Sequence, residues 1–291
     1  MRIFLLGATG SIGSAILSTL VAAGHQVTAL CRSDHSASAV ARQGAAVQRG
    51  DMRAPRGWAH ALRDQDAVIQ AAATFDTDMA EADRAVVNAL LEVGAPRSSP
   101  LRVVYTGGCW LYGDTGGRIV DEACGFAPIP AFAWMLDHAD LLMRCPGLST
   151  AVIHPAMVYH AGGGVFYDML ADIRADRPIE IRGHPDIHWP LVHRDDLALA
   201  YQLLAEMQGL TGHFNAVAQT GVEIGRIAAT LARASGHDGQ LTSRPRAEVL
   251  AREGDWAEGP MLDQRLSARR LIEATGWTPQ HRDLNQTFPT G

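Results

Sequence analysis

The chain has 291 residues, of which 47% are hydrophobic and 19% are charged, as expected for a folded enzyme with a full core. Its formal net charge is −6 and its 25 basic residues are spread along the sequence, which argues against a nucleic-acid-binding surface. No apolar run approaches the roughly 20 residues that a membrane-spanning helix needs.

Strands and helices alternate along the first half of the chain, which predicts a doubly wound parallel α/β sheet of the Rossmann type. The predicted strands are 2–6, 26–30, 46–48, 66–73, 101–106 and 149–154. The predicted helices are 11–23, 36–43, a stretch after residue 54, 79–93 and a helix that carries 131–140. We expect this Rossmann domain to span residues 1–157.

The alternation is less regular beyond His154-Pro155, which predicts a smaller, interleaved C-terminal substrate lobe. Helices are expected at 166–175, within 192–206, and at 224–235 and 268–275, with strands at 178–182 and 213–217. We assign residues 158–191 and 218–291 to this lobe and residues 192–217 to the Rossmann domain. The sequence has no repeat or long linker that would separate independent domains.

Three glycines spaced three apart lie between the first predicted strand and the first predicted helix. Such glycines permit a tight turn, close approach of the backbone to a pyrophosphate and close helix–strand packing. The free amides and the dipole of the helix N-terminus favour negative charge. The sequence therefore predicts a dinucleotide site formed by Gly7, Thr9, Gly10, Ser11, Ile12 and Gly13.

The residues after the second strand bear on the choice of cofactor. The forked guanidinium of Arg32, helped by the Ser33 hydroxyl, suits the 2′-phosphate of NADP(H). Alternatively, Arg32 is a solvated loop charge and Asp34 binds the ribose of NAD(H). We predict NADP(H), with NAD(H) as the alternative. The segment Asp51-Met52 places a carboxylate for the adenine amino group, although Asp51 also suits a helix N-cap.

Several motifs, taken in order, resemble the extended short-chain dehydrogenase/reductase superfamily of NAD(P)-dependent epimerases, dehydratases and reductases. They are Gly7-x-x-Gly10-x-x-Gly13, Gly50-Asp51-Met52, Ala71-Ala72-Ala73, Tyr105-Thr-Gly-Gly-Cys-Trp-Leu-Tyr-Gly113, His154-Pro155 and Trp189-Pro-Leu-Val-His-Arg-Asp-Asp-Leu197. The likeness covers nearly the whole chain. The predicted cofactor site accordingly also includes Ala71, Ala72, Ala73, Thr106, His154 and Pro155.

The same resemblance implies a Ser/Thr–Tyr–Lys set, in which the tyrosine is the general acid/base and the lysine lowers its pKa. Counting back four residues from Tyr112 reaches Gly108, so the hydroxyl is absent. Aligning Asp140 with the superfamily's acidic residue places Phe132 at the tyrosine and Leu136 at the lysine. All basic residues are arginine, and the sequence contains no lysine. The chain therefore resembles atypical members that keep the nucleotide site without the usual catalytic residues.

Three residues are candidates for the missing acid/base chemistry. Tyr112 comes first, because its phenol can donate a proton and the turn at Gly113 keeps it near the ligand crevice. Packing behind the cofactor is the alternative for this tyrosine. Asp137 and His138, on the following helix, form the second option, and a solvated surface position is the alternative for the histidine.

The residues expected around the substrate are apolar. Gly162-Gly-Gly164 predicts a mobile opening to the lobe, and an apolar, partly aromatic pocket is expected from Phe166, Tyr167, Met169 and Trp189. The arginines that could clamp the phosphates of a nucleotide sugar are Arg174, Arg177 and Arg182. Because no clear clamp is visible, the sequence favours a small hydrophobic carbonyl or hydroxyl compound.

We predict an atypical NADP-dependent oxidoreductase of a small carbonyl or alcohol. The alternatives are an epimerase, isomerase or lyase without net redox change, and a regulatory protein that senses NADP(H). Scattered histidines and four cysteines without C-x-x-C spacing predict no metal site and no disulfide framework. A cytoplasmic protein without membrane or nucleic-acid partners is expected, since the N-terminal layout is not that of a signal peptide. A homodimer is expected because relatives pair through the helices after strands four and five.

Overall fold

Alternate side chains of the first strand enter two different hydrophobic cores, so this strand lies in the middle of a layered structure. Ile3 and Leu5 pack into one cluster, whereas Phe4 and Leu6 pack into the other. Successive side chains of a strand point to opposite faces, and both faces of this strand are therefore covered. The computed structural model describes residues 1–74 and 76–289.

The strands and helices of the described residues follow the chain in a regular order. The strands are β1 (Arg2–Leu6), β2 (Gln26–Cys31), β3 (Ala46–Arg49), β4 (Ala67–Gln70), β5 (Leu101–Thr106), β6 (Ile119–Val120), β7 (Leu148–Pro155), β8 (Met157–His160), β9 (Gly163–Gly164), β10 (Ile179–Arg182), β11 (His188–His193), β12 (Gly212–Ala216), β13 (Gln219–Glu223), β14 (Leu241–Arg244) and β15 (Arg265–Leu266). The helices are α1 (Ser11–Ala22), α2 (Asp34–Arg42), α3 (Met79–Gly94), α4 (Trp134–Arg144), α5 (Tyr167–Arg174), α6 (Arg194–Glu206), α7 (Ile224–Ser235), α8 (Arg246–Glu253) and α9 (Arg269–Thr275).

Within the described residues the central sheet has seven strands in the order β12-β7-β5-β4-β1-β2-β3. Every neighbouring pair in this sheet is parallel. The strand order reverses between β1 and β4, which is the point where open α/β sheets bind ligands beyond their carboxyl ends. The predicted doubly wound parallel sheet is confirmed.

Helices cover both faces of this sheet. Ile16 and Leu20 of α1 share a cluster with Tyr201 of α6 on one face. Val86 of α3 and Leu142 of α4 lie in the cluster on the other face. This three-layer arrangement buries both sides of β1, β4 and β5, so at these strands the groups available to a ligand come from the loops at the strand ends.

A second, smaller sheet has the strand order β13-β11-β8-β9, and the strand pairs β10–β14 and β15–β6 accompany it. Helix α6 and strand β12, from the returned segment 192–217, join the central sheet. Strand β6, from the first part of the chain, pairs instead with β15 near the C-terminus. Residues 290 and 291 of the predicted lobe lie outside the described residues.

Several predicted boundaries needed correction. The strand predicted at 66–73 ends at Gln70, and the helix expected after residue 54 consists of 3-10 turns at Pro55–Gly57 and Ala59–Leu62. Among the described residues, no helix combines the length and the apolar character needed to cross a bilayer. The homodimer and the cytoplasmic location stay predictions.

Candidate functional site

A cavity of about 780 Å³ opens at the carboxyl ends of β1, β4, β5 and β7. It lies at the reversal of strand order, where a doubly wound sheet is expected to bind a ligand. Many predicted cofactor residues line it, and these are Gly7, Thr9, Gly10, Ser11, Ile12, Gly13, Met52, Ala71, Ala72, Ala73, Thr106 and Pro155.

The glycine loop has the geometry of a dinucleotide site. Gly7 has φ +88°, and a Cβ atom there would lie 2.5 Å from the Ala71 carbonyl oxygen. A Cβ atom on Gly13 would lie 2.0 Å from the Gly7 carbonyl oxygen. Helix α1 begins after Gly10 without a side-chain cap and without an acidic residue in its first turn. Its free amides and dipole can therefore receive a pyrophosphate, and the loop fits a bound dinucleotide.

The predicted phosphate-binding residues after β2 lie outside the cavity lining. The Arg32 side chain is 71% exposed, and its guanidinium is 3.9 Å from the Asp51 carboxylate. The Ser33 hydroxyl caps helix α2 by accepting the Ser36 amide at 3.1 Å. Because the Ser33 hydroxyl already caps α2, Arg32 is the main candidate for the predicted contact with the 2′-phosphate of NADP(H). Asp34 forms an ion pair with Arg49.

Asp51 forms a local turn and is not a helix N-cap. Its carboxylate accepts the Arg53 amide at 2.9 Å, and its carbonyl accepts the Trp58 indole N–H at 2.7 Å. Arg53 in turn pairs with Asp76 at 2.8 Å and with Asp78 at 2.6 Å. These contacts hold the loop after β3 against the segment that precedes α3.

His154 does not lie at the cavity surface, so the structure places this predicted cofactor-binding residue behind the lining. The imidazole is fully buried, and burial lowers its pKa to about 3. Nδ1 accepts the Gly108 amide at 3.3 Å, and Nε2 lies 2.9 Å from Nδ1 of His213. A Cβ atom on Gly107 would lie 2.4 Å from His154 Nδ1. The histidine therefore holds the Gly107-Gly108 loop, which lines the cavity, from behind.

Two of the three positions aligned with the superfamily's Ser/Thr, Tyr and Lys line the cavity. Gly108 and Phe132 line the cavity, whereas Leu136 packs at the edge of a small hydrophobic cluster. Thr106, at the end of β5, donates its hydroxyl proton to the Gln70 carbonyl at 2.6 Å and lies 2.7 Å from the Tyr201 hydroxyl. Within the described residues the lining therefore contains neither a phenol nor an ammonium group.

Two of the three proposed acid/base residues lie away from this cavity. Tyr112 is buried in a 3-10 turn, and its phenol donates to Asn215 Oδ1 at 2.8 Å. Burial and the nearby Glu122 carboxylate raise the Tyr112 pKa well above its usual range. Asp137 is exposed on helix α4. Neither residue lines the cavity, so the structure does not bring these two candidates to the predicted cofactor residues.

His138 is buried beside the cavity in a polar cluster that sequence reasoning missed. Its Nδ1 lies 2.7 Å from the Asp83 carboxylate, which also accepts the Tyr105 hydroxyl at 2.6 Å and the Gln70 amide at 2.8 Å. Burial and the Asp83 charge raise the pKa of Tyr105 far above its usual range. Asp83 and Gln70 line the cavity, whereas His138 stands behind them. The cluster ties α3 and α4 to the ends of β4 and β5.

The aromatic lining comes from other residues than those predicted. We call it the aromatic wall, and it consists of Met79, Trp110, Phe132, Trp134, Met135 and Trp256. Gly259 makes room for Trp110, because a Cβ atom there would lie 2.3 Å from the indole ring. The predicted pocket residues lie elsewhere: Phe166, Met169 and Trp189 are in the core, and Tyr167 is 61% exposed outside the lining.

Comparison with known proteins fits this geometry. The profile of an NAD(P)H-binding family matches residues 7–104. An uncharacterised protein of Schizosaccharomyces pombe is 26% identical over 290 residues, covering 98% of this chain and 97% of that protein. A ketoreductase of Stigmatella aurantiaca that acts on 4-hydroxy-2-methyl-3-oxo-4-farnesyl-3,4-dihydroquinoline-1-oxide is 29% identical over 188 residues, covering 61% of this chain and 56% of that enzyme.

Two solved structures share the fold along nearly the whole chain. The human epimerase family protein SDR39U1 with NADPH has a TM-score of 0.81 at 22% identity, covering 99% of this chain and 98% of that chain. The UDP-glucose 4-epimerase of Thermus thermophilus with NAD has a TM-score of 0.79 at 20% identity, covering 96% and 94%. The chain therefore has the fold of these two epimerase-family structures. The resemblance is confirmed at the level of the fold, and residues 7–104 match an NAD(P)H-binding family.

No group of three or more His, Cys, Asp or Glu side chains is arranged to hold a metal ion in the described part of the chain. The cavity therefore offers a dinucleotide cradle, an aromatic wall and a single carboxyl cluster at Asp83.

Proposed function

We propose that the chain is an NADP(H)-dependent oxidoreductase of an uncommon kind, which acts on a small carbonyl or alcohol compound. The observation that carries this proposal is one continuous cavity that joins the glycine loop at Gly7–Gly13 to the aromatic wall. A nicotinamide nucleotide supplies hydride transfer when it is bound. A substrate against the aromatic wall would share the same cavity.

The preference for NADP(H) rests on Arg32. Its guanidinium is exposed at the end of β2, where the adenosine ribose of a bound dinucleotide is expected. Asp34, the acidic alternative, is already paired with Arg49. The human SDR39U1 structure contains NADPH, whereas the Thermus epimerase structure contains NAD. The proposed cofactor preference therefore rests on the residues of this chain and not on these structures.

The side chains of this chain contribute orientation more than proton transfer. The Thr106 hydroxyl already donates its proton to the Gln70 backbone carbonyl, so it is not free to donate to a substrate. Burial raises the pKa of the Cys109 thiol to about 12, which makes this thiol a weak acid. The Gln70–Asp83 edge is the polar part of the lining next to the ends of β4 and β5. We assign it the role of positioning the cofactor ribose or the substrate oxygen, while solvent or a relay supplies the proton.

The Stigmatella relative supports carbonyl reduction, because that enzyme is a ketoreductase. The aromatic wall supports an apolar substrate of the same general kind. Both arguments favour net redox chemistry over epimerisation.

A direct test combines purified protein with NADPH and a panel of ketones and aldehydes. NADPH oxidation matched mole for mole by alcohol product supports the proposal. Product formed while the NADPH concentration stays constant would establish a non-redox isomerase, epimerase or lyase instead.

A second candidate function is a protein that binds NADP(H) and regulates a partner. The observation in its favour is the replacement of the whole catalytic set by Gly108, Phe132 and Leu136. Tight NADPH binding without turnover of any carbonyl, together with recovery of a partner that depends on the cofactor's redox state, would favour it.

A further inference from the structure

The cavity lining is poor in charge. Among the described residues it includes no arginine and no histidine, and its ionisable groups are the Asp83 carboxyl and the Cys109 thiol. Burial keeps that thiol neutral by raising its pKa to about 12. The carboxyl already accepts hydrogen bonds from Gln70, Tyr105 and His138. The lining therefore offers no cationic side chain to a ligand.

The lobe arginines that could neutralise a phosphate are engaged elsewhere. Arg182 pairs with Asp168 at 2.8 Å and with Glu253 at 3.0 Å. Arg177 pairs with Asp172 at 2.7 Å. Neither arginine lines the cavity, and Arg174 is exposed outside it as well. A substrate phosphate beside the aromatic wall, away from the α1 N-terminus that would receive the cofactor's pyrophosphate, would thus lose hydration without gaining a cationic side-chain partner, which is unfavourable.

The aromatic wall provides flat apolar surfaces instead. Trp110 and Phe132 meet with ring centroids 5.4 Å apart, and Trp134 lies over the buried His138 ring at 5.0 Å. Trp256 is 42% exposed and forms an outer part of the lining. Planar rings gain from contacts with such faces beyond the simple burial of apolar area.

We propose that the aromatic wall selects an uncharged substrate with a flat apolar body, such as an aryl ketone or the matching aryl carbinol, and rejects nucleotide sugars. This inference rests on the proposed oxidoreductase function for the reacting group alone. The preference for an uncharged, flat body follows from the aromatic wall and from the absence of cationic side chains in the described cavity lining.

The test measures binding by calorimetry on protein loaded with NADP⁺, because the oxidised cofactor cannot reduce a ketone. Methyl naphthyl ketone is expected to bind saturably, whereas UDP-glucose neither binds nor competes. Trp256→Ala and Met135→Ala should each weaken ketone binding about tenfold, the loss expected for roughly 50 Å² of apolar contact. Tyr167→Ala is the matched control, since this aromatic residue is 61% exposed outside the lining, and it should leave the affinity unchanged.

The inference fails if UDP-glucose binds and displaces the ketone, or if both wall variants bind the ketone as tightly as the unmodified protein does. Turnover with NADPH separates the two proposals. A ketone that binds as expected but is never reduced would overturn the oxidoreductase function and leave the substrate class standing. Reduction of aliphatic carbonyls without any binding of the aryl ketone would overturn the substrate class and leave the oxidoreductase function standing.

Discussion

The contact between Gly107 and His154 gives a sharp prediction about the loop that follows β5. A methyl group at position 107 would lie 2.4 Å from His154 Nδ1 and 2.7 Å from Cε1, about 1 Å inside normal contact. The imidazole cannot retreat, because its ring packs against Phe126 at 5.3 Å and His213 at 5.1 Å. Overpacking of about 1–3 kcal/mol adds to about 1 kcal/mol for the lost Gly108–His154 hydrogen bond. We expect Gly107→Ala to lower the free energy of unfolding by about 2–4 kcal/mol, measured in urea.

Gly108→Ala is the matched control for this prediction. Gly108 has φ −177°, and a Cβ atom there would meet no other atom within 4 Å. Its unfolding free energy should therefore stay within about 0.5 kcal/mol of the unmodified protein. Equal losses in the two variants, or no loss in Gly107→Ala, would refute the role given to His154. The same geometry predicts that Gly108→Ser folds, so steric crowding does not explain the missing hydroxyl.

Three further predictions concern the cofactor, the carboxyl cluster and pH. Arg32→Ala should weaken NADPH about 30-fold, because a doubly charged phosphate about 4 Å from one guanidinium in water gains about 2 kcal/mol, while NADH binding changes less than about threefold. Fluorescence titration checks this against Arg49→Ala as control, and equal weakening of both nucleotides contradicts the assignment. Asp83→Ala should cost at least about 3 kcal/mol in urea unfolding, because three buried donors lose their acceptor, and a cost below about 1 kcal/mol would disprove that the cluster ties the helices. The pKa of His154 is about 3 in the folded state, below its ordinary 6.5, so its contribution to stability is complete above pH 6.5 and is lost as the pH falls. Between roughly pH 6 and 5 the unmodified protein should lose about 1.2 kcal/mol more than His154→Gln, and parallel pH profiles would contradict the burial of a neutral imidazole.

Local sequence signals were enough to predict the strand, the glycine loop and the helix that border the cavity at its N-terminal part. The strand Arg2–Leu6, the glycine loop and the helix from Ser11 are contiguous, and their hydrophobic periodicity and turn chemistry are properties of a short window. The doubly wound parallel sheet also followed from the alternation of strands and helices. These parts of the fold needed no knowledge of distant contacts.

The substrate end could not be predicted, because it is assembled from distant segments. Met79, Trp110, Trp134 and Trp256 reach one cavity from four different parts of the chain. Asp83 meets Tyr105 and His138 only because α3 and α4 pack on the same face of the sheet. No spacing within the sequence signals such a meeting.

Tyr112 illustrates how a residue in the expected segment can point away from the expected cavity. It follows β5, as the active-site loop should, but a 3-10 turn directs its phenol to Asn215 on β12. Sequence position alone does not fix the direction of a side chain beyond a strand end, because the conformation of the following turn sets that direction.

The central claim is that the cavity brings a nicotinamide cofactor and an uncharged aryl carbonyl together for net reduction without the usual catalytic residues. The most direct measurement uses NADPH carrying deuterium at its transferable position, with methyl naphthyl ketone as substrate. We expect one deuterium at the carbinol carbon of each alcohol molecule formed, in equal amount to the NADP⁺ produced. Tight binding of NADPH and ketone without any deuterium transfer would contradict the claim and would favour a sensing role.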